Sequence, residues 1–174
     1  QRQRCIRDSP NIKPKSVEHL SSEDKLDFKN DTKLKKKEIY TKISDKNYYL
    51  IESEEDIKKW LLEAEENGEL SIDTETSSLN LNEADLVGIS LCSKIGRAFY
   101  IPIGHKTGKC LKKDLVIKKL KPILEDQSVK KIGQNIKFDF IVFYKNGITL
   151  TSMEDTMLMS YVLDAGKNRH NMDT

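Results

Sequence analysis

The sequence predicts an α/β fold in which a mixed β-sheet is flanked by helices. Short apolar runs bounded by polar or glycine residues alternate with longer stretches whose apolar residues recur every three or four positions. A length of 174 residues suits one domain with a tail. Because both patterns begin only after residue 46, we place the domain at residues 47–174.

The segment at residues 1–46 is predicted to be a basic, largely disordered linker. It carries 13 Lys or Arg against 8 Asp or Glu, a net charge of +5, and few large apolar residues. Electrostatic attraction to DNA phosphates is a second, compatible role. No apolar stretch follows its basic residues, so it is not a signal peptide.

The domain is predicted to open with a strand, a helix and a second strand. The first strand covers Tyr48 to Ile51, and Ser53 with Asp56 resembles a capping box. The helix stops near Asn67-Gly68. Its apolar stripe, with Trp60 as a core anchor, comprises Ile57, Trp60, Leu61 and Ala64.

The later elements alternate in the same way. We expect a helix from about Lys113 to Glu125, which Pro122 would kink or divide. Another helix carries Asp139, and a last one begins after an N-cap at Asp155. Three early strands are expected to pair antiparallel and a later one to join in parallel. The predicted later strands lie at residues 70–72, 86–92, 98–103, 129–132 and 148–150.

Two carboxylates follow the buried run at residues 70–72. Asp73 and Glu75 are two positions apart, which places both on one face of a strand. Like charges so close repel each other unless a cation lies between them, and oxygen ligands suit Mg²⁺ or Mn²⁺. When this motif is taken alone, a polar strand end or a helix cap is the more common explanation, and the second acidic motif downstream is what favours a cation site.

A second acidic motif runs from the predicted strand at residues 129–132 to Asp139. Gly133 permits a tight exit from the strand, and Asn135 is predicted to cap the next helix. Asp139 then lies near the end of a strand, where ligands of α/β sheets gather. Lys137 and the amides of Gln134 and Asn135 would be suited to contact phosphates or sugars. The alternative is a solvent-facing Asp on an amphipathic helix.

Five segments in collinear order resemble the proofreading 3′–5′ exonuclease domain of bacterial DNA polymerase I, the family A DNA polymerases. The resemblance implies a ribonuclease H-like fold of the four-acid (DEDD) superfamily, and hydrolysis of 3′-terminal nucleotides from single-stranded or frayed DNA in replication and repair. The segments are SIDTETSSL (71–79), AFYIPIGH (98–105), LKPILED (120–126), GQNIKFD (133–139), and DTML (155–158) with RHNMD (169–173).

The resemblance implies catalytic and metal-binding roles for Asp73, Glu75 and Asp139. Asp73 and Glu75 would hold the metal that activates water, Asp73 would bridge to a second metal, and Asp139 would act on that second metal. Two Mg²⁺ or Mn²⁺ ions about 3.5–4 Å apart would stabilise the attacking hydroxide and the leaving 3′ oxygen.

The same resemblance, together with Lys137 from the motif itself, implies a DNA-contacting set. Leu79 would act as an apolar wedge beside the terminal base. Gln134, Asn135 and Arg169 would lie near the DNA backbone. The full set is Thr76, Leu79, Gln134, Asn135, Lys137, Phe138, Met157 and Arg169.

The chain departs from the family pattern in one respect. A third motif, a Tyr with an Asp four residues later, should follow, but Ala165 stands four residues after Tyr161 and Asp164 comes one residue early. The sequence begins at Gln1 and ends at Thr174. We therefore expect a domain incomplete at its C-terminus that is weak or inactive alone.

Two alternatives remain open: an inactive structural or DNA-guiding module, and a stand-alone RNA-trimming exonuclease. The expected partners are a single-stranded 3′ end and the polymerase and 5′-nuclease domains of a parent chain, in a cytoplasmic monomer without membrane contact. Cys5, Cys92 and Cys110 lack zinc-ligand spacing, and Cys92 is expected to be buried. His105 is expected in a loop, and His170 either beside a phosphate or at the start of a helix.

Overall fold

The computed structural model describes residues 47–166 and 169–170. The predicted linker at residues 1–46 lies outside them, together with Cys5. In chain order the elements are β1 (Tyr48–Leu50), α1 (Glu54–Asn67), β2 (Glu69–Thr76), β3 (Leu86–Lys94), β4 (Arg97–Pro102), α2 (Lys113–Glu125), β5 (Lys130–Gly133), α3 (Lys137–Lys145), β6 (Met153–Asp155) and α4 (Thr156–Asp164).

The strands of this described region form one mixed sheet in the order β1-β4-β3-β2-β5-β6. Strands β2, β3 and β4 pair antiparallel. Strand β1 joins β4 in parallel, while β5 and β6 extend the sheet in parallel beside β2. The prediction of a mixed sheet flanked by helices is confirmed, as is the antiparallel pairing of three early strands.

Helix α1 follows the local signals that predicted it. The Ser53 hydroxyl accepts a hydrogen bond from the Asp56 backbone N–H at 3.2 Å and donates one to the Asp56 carboxylate at 2.6 Å. Gly68 ends the helix at φ 69°, a conformation that glycine adopts at little cost. Trp60 is buried and stacks on Phe99 with ring centroids 4.8 Å apart. The predicted core anchor is therefore confirmed.

A buried lysine joins the end of α2 to β5. Helix α2 continues through Pro122, so this proline does not divide it. Lys131 is fully buried, and its Nζ donates to the carbonyl oxygens of Asp126 at 2.5 Å and Val129 at 2.6 Å. Burial lowers the pKa of Lys131, and the nearby Asp126 charge opposes that change. The cation satisfies carbonyls just beyond the helix, where the helix dipole favours positive charge.

The predicted strand at residues 148–150 is wrong. Ile148 and Leu150 are buried in the core, but the intervening backbone bonds to α2 and not to a strand. The Thr149 N–H donates to the Glu125 carboxylate at 2.9 Å. Pairing with β5 begins only at Ser152, whose carbonyl accepts from the Lys131 N–H at 2.8 Å. The alternation of apolar residues therefore reflects two side chains inserted into the core from a loop.

Cys92 is half-buried and not fully buried as expected. It lies on β3 opposite Ser71 of β2, on the face of the sheet that the helices α1 and α2 do not cover. Its Sγ donates to the Lys94 carbonyl oxygen at 3.2 Å.

In the described ranges, no helix has the length and apolar character needed to cross a membrane.

Candidate active site

Strand β2 presents two carboxylates on its open face. Residues along the strand alternate between exposed and buried, with Asp73 and Glu75 exposed and Ile72 and Thr74 buried. This alternation follows from the two-residue period of a strand. The prediction that Asp73 and Glu75 share one face is therefore confirmed.

Asp139 reaches the same strand from the buried side. It lies in the first turn of α3, a helix that packs against β2, and only 3% of it is exposed. Its Oδ1 accepts two hydrogen bonds from Thr74, from the backbone N–H at 2.9 Å and from the hydroxyl at 2.6 Å. Asp139 is thus attached to the residue that separates Asp73 from Glu75.

The electrostatic setting favours protonation of two of these carboxyl groups. Burial raises the pKa of Asp139, the two Thr74 hydrogen bonds lower it, and the negative charge of Asp73 raises it again. Loss of water around Asp73 likewise raises the pKa of that carboxyl, and the hydrogen bond from the Thr74 backbone N–H partly offsets this rise. A cation bound here would reverse this balance, because it stabilises the ionised form of each carboxylate.

The start of α3 is capped differently from the prediction. Asn135 has a positive φ of 55°. The residue directly before the helix is Ile136, whose side chain forms no capping hydrogen bond. Instead the Asp155 carboxylate accepts from the backbone N–H groups of Asn135 at 3.0 Å and Ile136 at 3.1 Å. The prediction that the Asn135 side chain caps α3 is therefore wrong, because Asn135 adopts a left-handed backbone and the Phe138 N–H, which such a cap would bind, donates to the Asn135 carbonyl oxygen at 3.0 Å.

Asp155 performs its predicted capping of α4 as well. Its Oδ1 accepts from the Met157 N–H at 2.9 Å and the Leu158 N–H at 3.3 Å. One carboxylate therefore ties together the first residues of α3 and α4. Sequence reasoning identified the local cap but missed the second role, for which no local signal exists.

Gln134 is engaged within the protein. Its Nε2 donates to the His170 carbonyl oxygen at 2.7 Å, and its Oε1 accepts from the Thr156 hydroxyl. The His170 ring contacts the Tyr161 ring at a centroid distance of 3.8 Å, and its Nδ1 lies 2.8 Å from the Ser160 hydroxyl. These contacts place His170 against α4, and the adjacent Arg169 side chain is exposed.

The other residues of the predicted DNA-contacting set lie at or just beyond the end of β2 and at the starts of α3 and α4. Leu79 is 90% exposed just beyond β2, while the Thr76 hydroxyl donates to the Ser78 carbonyl oxygen at 2.9 Å. Lys137 is exposed at the start of α3. Two residues of the set are half-buried, Phe138 on α3 and Met157 on α4.

The donor atoms fit a hard divalent cation in kind. Carboxylate oxygens are the ligands that Mg²⁺ and Mn²⁺ prefer, and Asp73 lies close enough to Asp139 for its charge to raise the pKa of that carboxyl. Within residues 47–166 and 169–170, however, no three His, Cys, Asp or Glu side chains are gathered so that they could hold a metal ion. The residues match the cation in chemistry, and the described geometry stops short of a complete ligand set.

Sequence reasoning missed Thr74. A polar residue between two same-face carboxylates must point to the opposite, buried face, where it needs a partner. That requirement was readable from the sequence, but its partner, Asp139, lies 65 positions away.

Comparisons with known proteins identify the family of this chain. A family model described as 3′–5′ exonuclease matches residues 48–174. DNA polymerase I of Rhizobium leguminosarum is 39% identical over 141 residues, and the match covers 67% of this chain. DNA polymerase I of Pseudomonas aeruginosa is 40% identical over 122 residues and 66% of this chain. The chain spans only 14% and 13% of the lengths of these two relatives.

Solved structures share the fold. A nuclease in its apo form superposes with a TM-score of 0.54 at 26% identity, over 72% of this chain and 56% of its own. Brucella melitensis NrnC superposes with a TM-score of 0.54 at 22% identity, over 72% of this chain and 54% of its own, which supports the fold alone. The family model covers most of the chain, and the chain therefore belongs to the 3′–5′ exonuclease family, which is found within DNA polymerase I relatives.

Proposed function

We propose that this chain is the proofreading exonuclease domain of a DNA polymerase I, which removes 3′-terminal nucleotides from single-stranded or frayed DNA. The observation that carries the proposal is the attachment of Asp139 to Thr74, between Asp73 and Glu75. This attachment links the acidic residue of the second motif to the strand that carries the first. The polymerase and 5′-nuclease domains would belong to other parts of the parent chain.

Asp73, Glu75 and Asp139 are the residues that would hold Mg²⁺ or Mn²⁺, with two ions in the intact site. Such ions activate water for attack and stabilise the leaving 3′ oxygen. Of the protein groups, the two Thr74 donors favour the ionised form of Asp139, and they partly offset the rise in its pKa that burial causes. Asp73 and Glu75 remain exposed on the open face, where a DNA end has access.

The exposed side chains around the carboxylates support DNA as the substrate. Leu79 presents an apolar surface against which a terminal base would pack. Lys137 and Arg169 present positive charge that would contact the DNA backbone. Asn135, Thr76, Phe138 and Met157 complete the proposed groove, whereas Gln134 would act mainly through its hydrogen bonds to the 169–170 segment.

The test is digestion of a single-stranded DNA labelled at its 5′ end, with Mg²⁺ or Mn²⁺. The chain is compared with a longer version that carries the downstream segment of a DNA polymerase I relative. Asp73→Ala and Asp139→Ala remove proposed ligands, and Asp114→Ala removes an exposed carboxylate on α2 as a matched control. Shortening from the 3′ end that the first two substitutions abolish, and Asp114→Ala preserves, supports the proposal.

Activity of the 174-residue chain alone is expected to be weak. No Tyr in the sequence is followed four residues later by Asp, so the residues that would orient the water and complete the first metal site are not supplied. Clear metal-dependent trimming by the unextended chain would contradict this expectation.

A catalytically inactive, DNA-guiding module is the second candidate. It is favoured by the finding that the described residues gather no three ligand side chains around a common point. If neither the chain nor its longer version digests DNA with either metal, while both bind single-stranded DNA, this second candidate replaces the first.

A further inference from the structure

A lysine-rich loop leaves the sheet beside the carboxylates. The segment at residues 104–113, named here the lysine loop, runs from just beyond β4 to the first residue of α2. The N–H groups of Ile103 and Gly104 donate to the Val87 carbonyl oxygen at 2.9 and 2.8 Å. The next residue of β3, Gly88, pairs with Glu75. The start of the loop therefore bonds to β3, the strand that pairs with the proposed metal ligand Glu75.

Two contacts hold the base of the lysine loop in place. The Leu111 N–H donates to the Pro102 carbonyl oxygen at 2.9 Å, which closes the loop on the end of β4. The Tyr100 hydroxyl lies 2.6 Å from His105 Nε2. That hydroxyl fills the space above Gly88, where a Cβ atom would lie 1.7 Å from it. His105 is thereby fixed to the sheet next to the strand that carries Glu75, and its predicted loop position is confirmed.

The loop carries only positive charge. Residues 104–113 contain four lysines and no acidic residue. The four side chains, Lys106, Lys109, Lys112 and Lys113, are exposed, and none forms an ion pair within the part of the chain that the structure describes. By contrast, Lys130 forms ion pairs with two carboxylates on the sheet.

This free charge meets a requirement of the proposed site. Asp73, Glu75 and Asp139 repel the phosphates of a nucleic acid, so attraction must come from groups nearby. Unpaired lysines that neutralise phosphates release condensed counterions, which drives salt-dependent binding. A phosphate backbone is therefore the partner whose charge complements the loop.

We propose that the lysine loop binds the phosphate backbone of a single-stranded nucleic acid whose 3′ end lies at Asp73 and Glu75. The proposal rests on the exonuclease function proposed above and adds a surface outside the family-matched contact residues. The strand would pass over Tyr100 and His105 on its way from the loop to the carboxylates.

The experiment measures fluorescence anisotropy of a 5′-labelled oligothymidylate in EDTA, across a series of KCl concentrations. The variant K106Q/K109Q removes two loop charges. The control K58Q/K118Q removes the same charge from α1 and α2, which cover the opposite face of the sheet. We expect the loop variant to reduce the slope of log affinity against log salt by about 1.4, since each single-strand phosphate contact contributes about 0.7, and the control to leave it unchanged.

Equal losses in both variants, or none in either, would overturn the proposal, as would a parent chain that does not bind the oligonucleotide. The digestion test separates this outcome from the function itself. If the loop variant binds like the parent while the longer version still trims DNA, only the loop surface is refuted. If the loop variant loses binding and no version trims DNA, the surface stands and the exonuclease proposal fails.

Discussion

Replacing Thr74 with valine would test how the third carboxylate is held. Thr74 is 8% exposed and Asp139 is 3% exposed. Thr74→Val keeps the shape of the side chain and the backbone donor at 2.9 Å, but it removes the hydroxyl donor at 2.6 Å. The buried Asp139 carboxylate then retains only one of its two hydrogen bonds from Thr74.

The expected cost follows from the charge of the acceptor. A hydrogen bond to an ionised group contributes about 1.5–3 kcal/mol, and the remaining Thr74 N–H keeps the loss in the lower part of that range. We expect Thr74→Val to lower the free energy of unfolding by about 2 kcal/mol at neutral pH. For a domain of this size, that corresponds to a fall in Tm of about 5–8 °C.

The loss should depend on pH in a defined direction. Burial raises the pKa of Asp139 above its ordinary value of 3.8, so the folded state holds this proton at pH values where the unfolded state has released it. The stability from this group is present at low pH and is lost as pH rises through the folded-state pKa. Without the Thr74 hydroxyl, the pKa of Asp139 rises further. The free energy of unfolding that the variant loses relative to the parent, its stability deficit, is therefore largest at neutral pH.

The assay is urea unfolding in EDTA, followed by the fluorescence of Trp60, the only tryptophan in the chain. Thr74→Val and Thr74→Ser are each compared with the parent at about pH 4 and about pH 7.5. Serine retains the hydroxyl, so its deficit should be smaller and nearly independent of pH. A valine deficit that is equal at both pH values, or equal to that of serine, would refute the proposed role of the hydrogen bond.

Three further substitutions test the framework around the site. Lys131→Met should lower the free energy of unfolding by about 3 kcal/mol, because it leaves buried carbonyls without a hydrogen-bond donor. The control Lys130→Met should cost less than about 1 kcal/mol, and chemical denaturation would compare the two variants. Asp155→Ala should lower the free energy of unfolding by about 2–3 kcal/mol, because it removes hydrogen bonds at the starts of two helices. Asp155→Asn keeps one acceptor oxygen and should cost about half of that. Equal falls in Tm for the two variants would contradict the role of Asp155 at both helices. Gly88→Ala should destabilise the chain through the 1.7 Å approach of its Cβ to the Tyr100 hydroxyl. Adding Tyr100→Ala should then restore most of the loss in a double-mutant cycle.

The features that the sequence predicted well depend on neighbouring residues. The Ser53–Asp56 capping box and the glycine stop at Gly68 are short-range rules, and the structure shows both. The shared face of Asp73 and Glu75 needs only the two-residue period of a strand. In each case no distant residue competes for the same backbone donors or the same face.

The features that the sequence predicted poorly depend on partners that are distant along the chain. Asn135 had the right residue type for a helix cap, but its backbone is left-handed, and the carboxylate of the distant Asp155 binds the N–H groups of Asn135 and Ile136. Ile148 and Leu150 alternate like a strand, yet the backbone between them bonds to the end of α2. The burial of Lys131, for which the sequence carries no prediction, is explained by the carbonyls beyond α2 that its Nζ binds.

The alternation of β2 explains why the third carboxylate approaches from the core. The residue between two same-face carboxylates necessarily points to the opposite face, where α3 packs. Asp139 can therefore bind Thr74 while its charge still acts on Asp73 across the thickness of one strand. A shift of one residue in the pairing of β2 would turn both carboxylates into the core and Thr74 towards solvent. The register of this single strand therefore decides whether the three carboxylates can take up the positions that the proposed site needs.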